Sequence, residues 1–295
     1  RLSDGAAVAR LAPTKGIHLV IPRVAQQALF VQARSDRRLL FVLPWGDYSL
    51  VGTTEQSLAG SLDARRANGS EVGYLLDEVN RVLPGSRVQE DEIIATFAGA
   101  RPLLGFSGSA TQASREYRIE IDGHGLMSVM GGKYTTYRVM AKEAVDALIR
   151  RHRWQADRCL TDQVSLLEMP QPIALDHWHH VIRRSDPDLL ARLLTRYGAG
   201  TFHILQFIDR EPSLAQPVCP HHECIEAELL YAVEQELACT IIDVLARRTR
   251  IAFSSCQGLD LLSTLTDLFQ RYRGASREAM EQQVEQYQQF LAQGL

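Results

Sequence analysis

Two successive patterns of apolar residues constrain the fold of this chain more than any other feature of its sequence. Short β-rich runs separated by turn residues occupy residues 1–130, and longer runs of helical periodicity follow after about residue 175. The short runs predict strands at 17–21, 29–32, 39–43, 48–53, 93–97, 117–121 and 126–130. Their spacing is typical of an antiparallel sheet rich in hairpins. The predicted fold class is therefore α+β, with an antiparallel sheet followed by an all-α domain.

One helix interrupts the strand-rich part of the chain. Apolar residues recur at helical spacing over residues 72–82, where Ser70 is placed to cap the start and Pro84-Gly85 to end the helix. A second helix is predicted after the last strand. We place the domain boundary behind that helix, with residues 1–152 forming the first domain and residues 153–295 the second. Helices of the second domain are predicted at 189–197, 225–248, 260–272 and 276–292.

Composition excludes several classes of protein. The chain has 295 residues and a formal net charge of −3, so its overall charge does not favour binding to nucleic acid. The five cysteines are odd in number and scattered, which indicates free thiols in a reducing, intracellular compartment. No apolar run approaches the roughly 20 residues that a membrane-spanning helix needs. The chain starts Arg1-Leu2-Ser3-Asp4, and from this we expect a chain that begins partway through a longer protein.

A junction between a strand and a helix at residues 130–136 is the most informative local motif. Gly131 and Gly132 allow the backbone to approach a ligand closely, and the start of the following helix suits an anion. Lys133 adds a positive charge, and Thr135 or Thr136 is placed to cap the helix. The alternative is a tight turn that needs glycine for packing alone.

Two arginines and one histidine are further candidates for chemistry. Arg101 follows a predicted strand and Arg115 precedes another, so both could face one pocket and hold a phosphate. The alternative is surface arginine paired with Glu116 or Glu120. His18 lies in an apolar strand, where it is either a core residue with a satisfied hydrogen bond or a general base.

A run from Cys219 to Cys224 contains four side chains that can ligate a soft metal ion. Zinc sites need separated ligand pairs that can fold round the ion, and these residues are crowded into six positions. His177, His179 and His180 could add ligands, but nothing in the sequence places them nearby. We therefore predict no metal site.

Several of these segments, in this order, resemble FAD-dependent glycerol-3-phosphate dehydrogenases and the related oxidases. The motifs of the first domain that carry the resemblance are Lys15-Gly16-Ile17-His18, Phe41-Val42-Leu43-Pro44-Trp45, Val51-Gly52-Thr53-Thr54, Gly99-x-Arg101-Pro102-Leu103, Ser114-Arg115 and Gly131-Gly132-Lys133-x-Thr135-Thr136. Those of the second domain are Ile225-Glu226-Ala227-Glu228 and the stretch from Ala238-Cys239-Thr240 to Ala252-Phe253. The likeness covers nearly the whole chain, and in the second domain it is especially close to the mitochondrial type.

The resemblance implies hydride transfer from sn-glycerol 3-phosphate to FAD, giving dihydroxyacetone phosphate, with electrons passed on to quinone or, in the oxidase branch, to oxygen. It implies that Arg101, Arg115 and Lys133 bind the substrate and that His18, Arg101 and Lys133 are catalytic. Gly131, Gly132, Lys133 and Thr135 would lie beside the flavin. The strand at 126–130, the glycine turn and the helix that follows would then be the end of an FAD domain. The implied location is cytoplasmic, peripheral at the inner face of the membrane, with a homodimer as a possible assembly.

One family motif has no counterpart in this sequence. The family's Gly-x-Gly-x-x-Gly turn, which binds the FAD pyrophosphate, does not occur in it. We therefore expect the chain to need an N-terminal FAD-binding segment as a partner, to retain FAD weakly, and to be inactive alone. Two alternatives stay open: a non-catalytic helical module for docking or dimerisation, and another flavoprotein of the same fold that oxidises an amino acid.

Overall fold

The computed structural model of this chain describes residues 11–58, 62, 65–105, 115–166, 178 and 187–292. These residues form two compact units, one within Arg1–Val164 and one within Ser165–Gln293. None of the helices in the described ranges is both long enough and apolar enough to cross a membrane. The α+β class predicted from the sequence is confirmed.

Six strands of the first unit form one antiparallel sheet in which β1 is central. The strands are β1 (Thr14–Pro22), β2 (Leu29–Gln32), β3 (Leu39–Trp45), β4 (Tyr48–Gly52), β5 (Gln56–Ser57) and β6 (Ala95–Arg101). One edge of β1 pairs with β4 and β5, while β6 pairs with the other edge. The register places His18 between Gly52 and Phe97 and Gly16 opposite Gly99. The end of β6 therefore lies beside the start of β1.

The two faces of β1 have different roles because side chains alternate along a strand. Ile17, Leu19 and Ile21 are fully buried, and they belong to a core that includes the apolar face of helix α1 (Gly69–Val82). Thr14, Gly16 and His18 point to the opposite face. The core on one side thus fixes which residues the sheet presents on the other.

The N-cap of helix α1 lies two residues before the predicted one. Asn68, not Ser70, is the N-cap, since its side chain accepts a hydrogen bond of 3.0 Å from the amide of Glu71. The Glu71 carboxylate accepts in return from the Asn68 amide, and the Ser70 hydroxyl donates to the Asn68 side chain. This reciprocal capping box stabilises the first turn of the helix.

A separate hairpin and helix complete the first unit. Strands β7 (Tyr117–Ile121) and β8 (Met127–Gly131) pair in an antiparallel hairpin. A 3-10 turn (Tyr134–Thr136) then leads into α2 (Tyr137–His152), which ends in a left-handed residue, Arg153. The predicted junction of strand, glycine turn and helix is thus present.

The second unit is built mainly from helices. They are α3 (Pro187–Tyr197), α4 (Thr201–Arg210), α5 (Glu226–Glu234), α6 (Leu262–Arg273) and α7 (Arg277–Ala292), with a π-helical segment at Asp243–Arg248. Short 3-10 turns lie at Glu90–Glu92 in the first unit and at Gly198–Gly200, Pro212–Ala215, Ile251–Phe253 and Leu259–Leu261 in the second. Gly198, at positive φ, follows the last residue of α3, as the sequence predicts.

Two predictions for the second unit are corrected by the structure. The unit contains a hairpin of β9 (Pro217–Cys219) and β10 (His222–Ile225), where we expected only helix. The continuous helix predicted over 225–248 is wrong as well, because α5 ends at Glu234. A second start follows at Thr240, whose hydroxyl accepts from the Asp243 amide while the Asp243 carboxylate accepts from the Thr240 amide. This new cap divides one amphipathic pattern into two helical pieces.

Candidate functional site: a histidine and three arginines on one face of the sheet

His18 lies on the sheet face that is turned away from α1. Its ring stacks on Phe97 of the neighbouring strand, with ring centroids 4.9 Å apart and planes inclined by 13°. On the other side the ring covers Gly52, where an added Cβ would lie 2.2 Å from the ring carbon Cδ2. The ring can therefore lie between Gly52 of β4 and Phe97 of β6 only because residue 52 has no side chain.

The environment of His18 keeps its imidazole neutral at physiological pH. Burial, followed by the positive charge of Arg101, lowers the pKa of His18 from 6.5 to about 4. No described residue forms a hydrogen bond with either ring nitrogen. The sequence leaves open whether His18 is a satisfied core residue or a base, and a neutral ring nitrogen that no described residue hydrogen-bonds is compatible with the base.

The Arg101 guanidinium lies directly over the backbone of β1. An added Cβ on Gly16 would come within 2.5 Å of both terminal nitrogens of Arg101 and 2.6 Å of the Thr53 hydroxyl oxygen. The guanidinium donates to that hydroxyl at 2.9 Å and to the carbonyl oxygen of Thr54 at 3.3 Å. Gly16 thus makes room for the guanidinium, and the two threonines hold it in place.

Glu55 gathers three arginines at this end of the sheet. Its carboxylate lies 3.3 Å from the Arg38 guanidinium, 3.7 Å from that of Arg115 and 3.9 Å from that of Arg101. It also accepts a hydrogen bond of 3.1 Å from the Thr14 hydroxyl. The Glu55 side chain is only 5% exposed, whereas that of Arg115 is 56% exposed. A buried carboxylate therefore anchors a group of cations that reaches into solvent.

The cluster keeps an excess of positive charge. Asp36 pairs with Arg38 at 3.3 Å, so two carboxylates face three guanidiniums. Burial lowers the pKa of Arg101 from its ordinary value, and the nearby Arg115 and Arg38 lower it further while Glu55 opposes them. An arginine stays charged in proteins even so. The cluster is therefore suited to an anion.

Arg101 and Arg115 come together as the phosphate hypothesis requires. Their contacts with Glu55 are longer than the 2.7–3.2 Å of an N–H···O hydrogen bond, so these pairs leave donors for a ligand. The Arg115 guanidinium lies 3.7 Å from the Glu55 carboxylate, while Glu120 pairs with Arg118 at 3.4 Å.

Lys15 belongs to the same sequence motif as His18 but lies on the core side. Its ammonium group donates to the buried Glu71 carboxylate at 2.6 Å and to the carbonyl oxygen of Arg66 at 2.7 Å. Glu71 also accepts from the Thr54 hydroxyl at 2.9 Å. The Lys15–Glu71 pair thus connects β1 and Thr54 to the start of α1. Lys15 therefore stabilises the sheet from its core side and does not face the site.

The Gly131-Gly132 turn is shaped first by the fold. Both glycines have positive φ, and an added Cβ would lie 2.6 Å from the Glu116 carbonyl oxygen at position 131 and 2.6 Å from the Met140 side chain at position 132. The amide of Gly132 donates to the Glu116 carbonyl at 3.2 Å. Packing and backbone conformation thus already require both glycines, and the turn lies beside the segment that carries Arg115. A role of the two glycines at the flavin stays a prediction.

Lys133 and Thr135 are exposed at the start of the helical segment. Within the described ranges, the structure gives Lys133 no contact with Arg101 or Arg115. Thr136 is the N-cap residue of α2, as the sequence predicts, but it forms no side-chain cap hydrogen bond, and its hydroxyl donates to the Lys133 carbonyl at 2.9 Å instead. The roles predicted for Lys133 and Thr135 therefore still rest on the resemblance.

Sequence reasoning missed Glu55, which organises the cluster, and Arg38. Glu55 directly follows the Thr53-Thr54 motif, which is the one available hint. Its partners come from strands and loops far away in the sequence, so no spacing signal joins them. Ser114, beside Arg115, and the three histidines at 177, 179 and 180 lie outside the described residues.

Comparison with known proteins finds a matching family for part of the chain. Residues 159–280 match the model of a family described as the C-terminal domain of alpha-glycerophosphate oxidase. The resemblance to FAD-dependent glycerol-3-phosphate dehydrogenases that the motifs indicate is thereby confirmed, and relatives of that name extend it over the rest of the chain.

Three relatives show the extent of the likeness. A glycerol-3-phosphate dehydrogenase of Synechocystis sp. is 33% identical and aligns with 96% of this chain and 53% of its own length. Glycerol-3-phosphate dehydrogenase 2 of Mycobacterium bovis is 32% identical over 93% of this chain and 48% of its own length. The mitochondrial enzyme of Mesocricetus auratus is 28% identical over 99% of this chain and 41% of its own length. The chain thus spans about half the length of the curated relatives it matches.

A solved structure has the same fold. The glycerol-3-phosphate dehydrogenase from Bacillus halodurans, solved in complex with FAD, superimposes with a TM-score of 0.71 at 23% sequence identity. The match covers 96% of this chain and 56% of that one.

Proposed function

We propose that this chain supplies the substrate side of an FAD-dependent sn-glycerol-3-phosphate dehydrogenase, which oxidises the secondary alcohol of its substrate to dihydroxyacetone phosphate. The observation that carries the proposal is the meeting of Arg101 and Arg115 at Glu55, on the sheet face that also presents His18. Two arginines beside a neutral imidazole match a substrate that has a phosphate at one end and an alcohol to be deprotonated.

Arg101 and Arg115 would bind the phosphate group. Arg101 commits two of its five N–H donors to Thr53 and Thr54, which leaves three for a ligand. The half-exposed Arg115 approaches from solvent and can form a second charge-assisted contact. A dianionic phosphate would then balance the positive excess that Glu55 and Asp36 leave.

His18 would accept the proton of the substrate's secondary hydroxyl group. Its ring is neutral at pH 7 because its pKa is about 4, so a nitrogen lone pair is ready to take a proton. A bound phosphate dianion would offset the charge of Arg101, which raises the basicity of His18 only when substrate is present. Binding and proton transfer are thereby coupled through one arginine.

FAD, when bound, would accept the hydride from the substrate carbon that carries this secondary hydroxyl group. The start of the helical segment fits the ring of such a cofactor, because Lys133 and the exposed Tyr134 accompany a helix N-terminus there. Lys133 and Thr135 would hold the ring at the turn formed by Gly131 and Gly132. The sequence has no Gly-x-Gly-x-x-Gly turn for the pyrophosphate, so retention of FAD would depend on an N-terminal FAD-binding segment as partner.

The acceptor and the location follow from the resemblance alone. We propose quinone as the electron acceptor of the whole enzyme and a peripheral position at the inner face of the membrane. Glu55 holds Arg101 and Arg115 close together. Two neighbouring arginines favour a phosphate ligand over the carboxylate of an amino acid, which needs only one. This argues against a flavoprotein that oxidises an amino acid.

The test is a flavin titration of the chain, alone and mixed with a separately expressed N-terminal FAD segment, followed by anaerobic addition of glycerol 3-phosphate. We expect bleaching of bound flavin only in the mixture. Arg101→Gln should abolish the bleaching, whereas the matched surface variant Arg118→Gln, whose side chain is 58% exposed, should retain it. Bound flavin that glycerol 3-phosphate does not bleach in the mixture would refute the assigned substrate.

A second test needs no flavin. The ring protons of His18, followed by nuclear magnetic resonance, should titrate near pH 4 in the chain alone and at higher pH with glycerol 3-phosphate. Glycerol at the same concentration should leave the titration unchanged. An equal effect of both compounds would contradict a phosphate site at Arg101.

A further inference from the structure

Three side chains of the second unit that take no part in the proposed reaction lie close together. Cys219 ends β9, His222 begins β10, and Cys256 comes from the loop that follows the Ile251–Phe253 turn. One sulfur or nitrogen ligand atom from each lies within 4.8 Å of the others. The sequence predicts no metal site because its possible ligands at 219–224 are crowded together. In the fold, however, the third ligand, Cys256, comes from a different segment.

We propose that Cys219, His222 and Cys256 form a binding site for a borderline-soft divalent metal ion, with zinc as the favoured ion. Two sulfurs and one imidazole are a ligand set that zinc prefers over the hard cations magnesium and calcium. Three protein ligands leave a fourth position for water.

The distances agree with tetrahedral coordination. Zinc–sulfur bonds of about 2.3 Å and zinc–nitrogen bonds of about 2.0–2.1 Å place neighbouring ligand atoms roughly 3.5 Å apart. The Nε2 atom of His222 lies 3.3 Å from the sulfur of Cys256. Cys219 and His222 are register partners at the turn of the hairpin, so their side chains leave the same short loop. All three ligand atoms lie within 4.8 Å of one another, so only short movements separate them from the spacing of a bound ion.

The surroundings of Cys256 also suit a metal thiolate. The amide of Gly258 donates to its sulfur at 3.4 Å, and hydrogen bonds of this kind stabilise coordinated sulfur. The Ser254 hydroxyl lies 2.9 Å from Nε2 of His222 and is the competing partner for that nitrogen. The ion would take the place of this contact and tie the β9–β10 hairpin to the loop before α6.

Metal analysis of the full chain, purified under reducing conditions and dialysed, tests the site. We expect about one zinc ion per chain. Cys256→Ser and His222→Gln should lose it. The matched controls Cys239→Ser and His221→Gln, which alter an exposed cysteine and an exposed histidine nearby, should keep it.

Cobalt titration of the unaltered chain keeps the test decisive if the site variants do not fold. Two thiolates in tetrahedral coordination should give sulfur-to-cobalt charge-transfer bands and strong visible bands, which a slight excess of zinc should remove. Three results would overturn the proposal: a reduced, folded chain without these bands, equal metal content in site and control variants, or a disulfide between Cys219 and Cys256 as the stable form under the same reducing conditions.

Discussion

Replacing Gly16 by alanine should break the support of the phosphate-binding arginine while leaving the sheet folded. The new methyl group would lie 2.5 Å from the terminal nitrogens of Arg101, which must swing away and give up its bonds to Thr53 and Thr54. Each bond to this partly exposed charge is worth about 1–1.5 kcal/mol. Alanine in a strand recovers roughly 0.5–1 kcal/mol relative to glycine. We expect a net loss of about 1–2 kcal/mol.

Gly99→Ala is the matched control for stability. Gly99 is the register partner of Gly16 on the adjacent strand, but an added Cβ there meets no atom within 4 Å. This variant should be neutral or slightly stabilising, so that the two should differ by about 1–3 kcal/mol. The free energy of unfolding is measured by pulsed hydrogen exchange along a urea series, read on peptides from β1 and β6.

A second readout separates displacement of Arg101 from general damage. Arg101 contributes to the low pKa of His18, so the pKa should rise from about 4 in Gly16→Ala but not in Gly99→Ala. The reasoning is refuted if both variants are equally stable and His18 titrates in Gly16→Ala as in the unaltered chain. Loss of the whole sheet in Gly16→Ala would refute it as well, because the clash involves side-chain atoms of Arg101 and Thr53 and not the backbone.

Three further predictions concern charged and titratable groups. Glu55→Gln should destabilise the first unit by about 2 kcal/mol, because three guanidiniums lose a buried partner, and inorganic phosphate should stabilise this variant more than the unaltered chain. Lys15→Met should cost about 3 kcal/mol, since the buried Glu71 carboxylate loses its ion-pair partner, and adding Glu71→Gln should recover part of this loss. His18 binds a proton more weakly in the folded chain than in the unfolded chain. The free energy of unfolding should therefore fall by about 2–3 kcal/mol as the pH drops from 7 to 4.5. His18→Asn should not show this loss.

The same urea series measures all three, and each has its own control. Glu90→Gln alters an exposed carboxylate and should change neither stability nor the effect of phosphate. For Lys15, a double variant no more stable than the single one would contradict an unpaired Glu71 charge as the cause. For His18, parallel loss of stability in the unaltered chain and in His18→Asn between pH 7 and 4.5 would show that other groups dominate the acid response.

Local signals predicted most elements of the first unit. The strands at 29–32 and 117–121 have the predicted bounds, and the helix at 69–82 differs from its predicted start by a few residues. These segments succeed because alternation of side chains and helical spacing are properties of the chain itself. The cap at Asn68 was missed because Ser70 is also a good capping residue and the competition depends on the Glu71 carboxylate.

Contacts between distant segments were not predictable in the same way. The continuous pattern over 225–248 hides the new start at Thr240, since an amphipathic face can be kept across a break in the helix. Cys256 has no sequence relation to the turn between Cys219 and His222, and only the fold brings it there. A ligand set of this kind is visible in a sequence only when its members come in regularly spaced pairs.

The glycines of this chain show what its motifs encode. At positions 16 and 52, a Cβ would meet the side chains of Arg101 and His18, the two groups that the proposed reaction uses. At position 131, a Cβ would meet the backbone, so the requirement there is one of folding. A motif glycine that clears space for a charged or titratable side chain therefore locates a site more specifically than one that permits a turn. Both of these contacts involve β1, through Gly16 and through His18. By this criterion the motif in β1 indicates a functional site more strongly than the turn at Gly131 does.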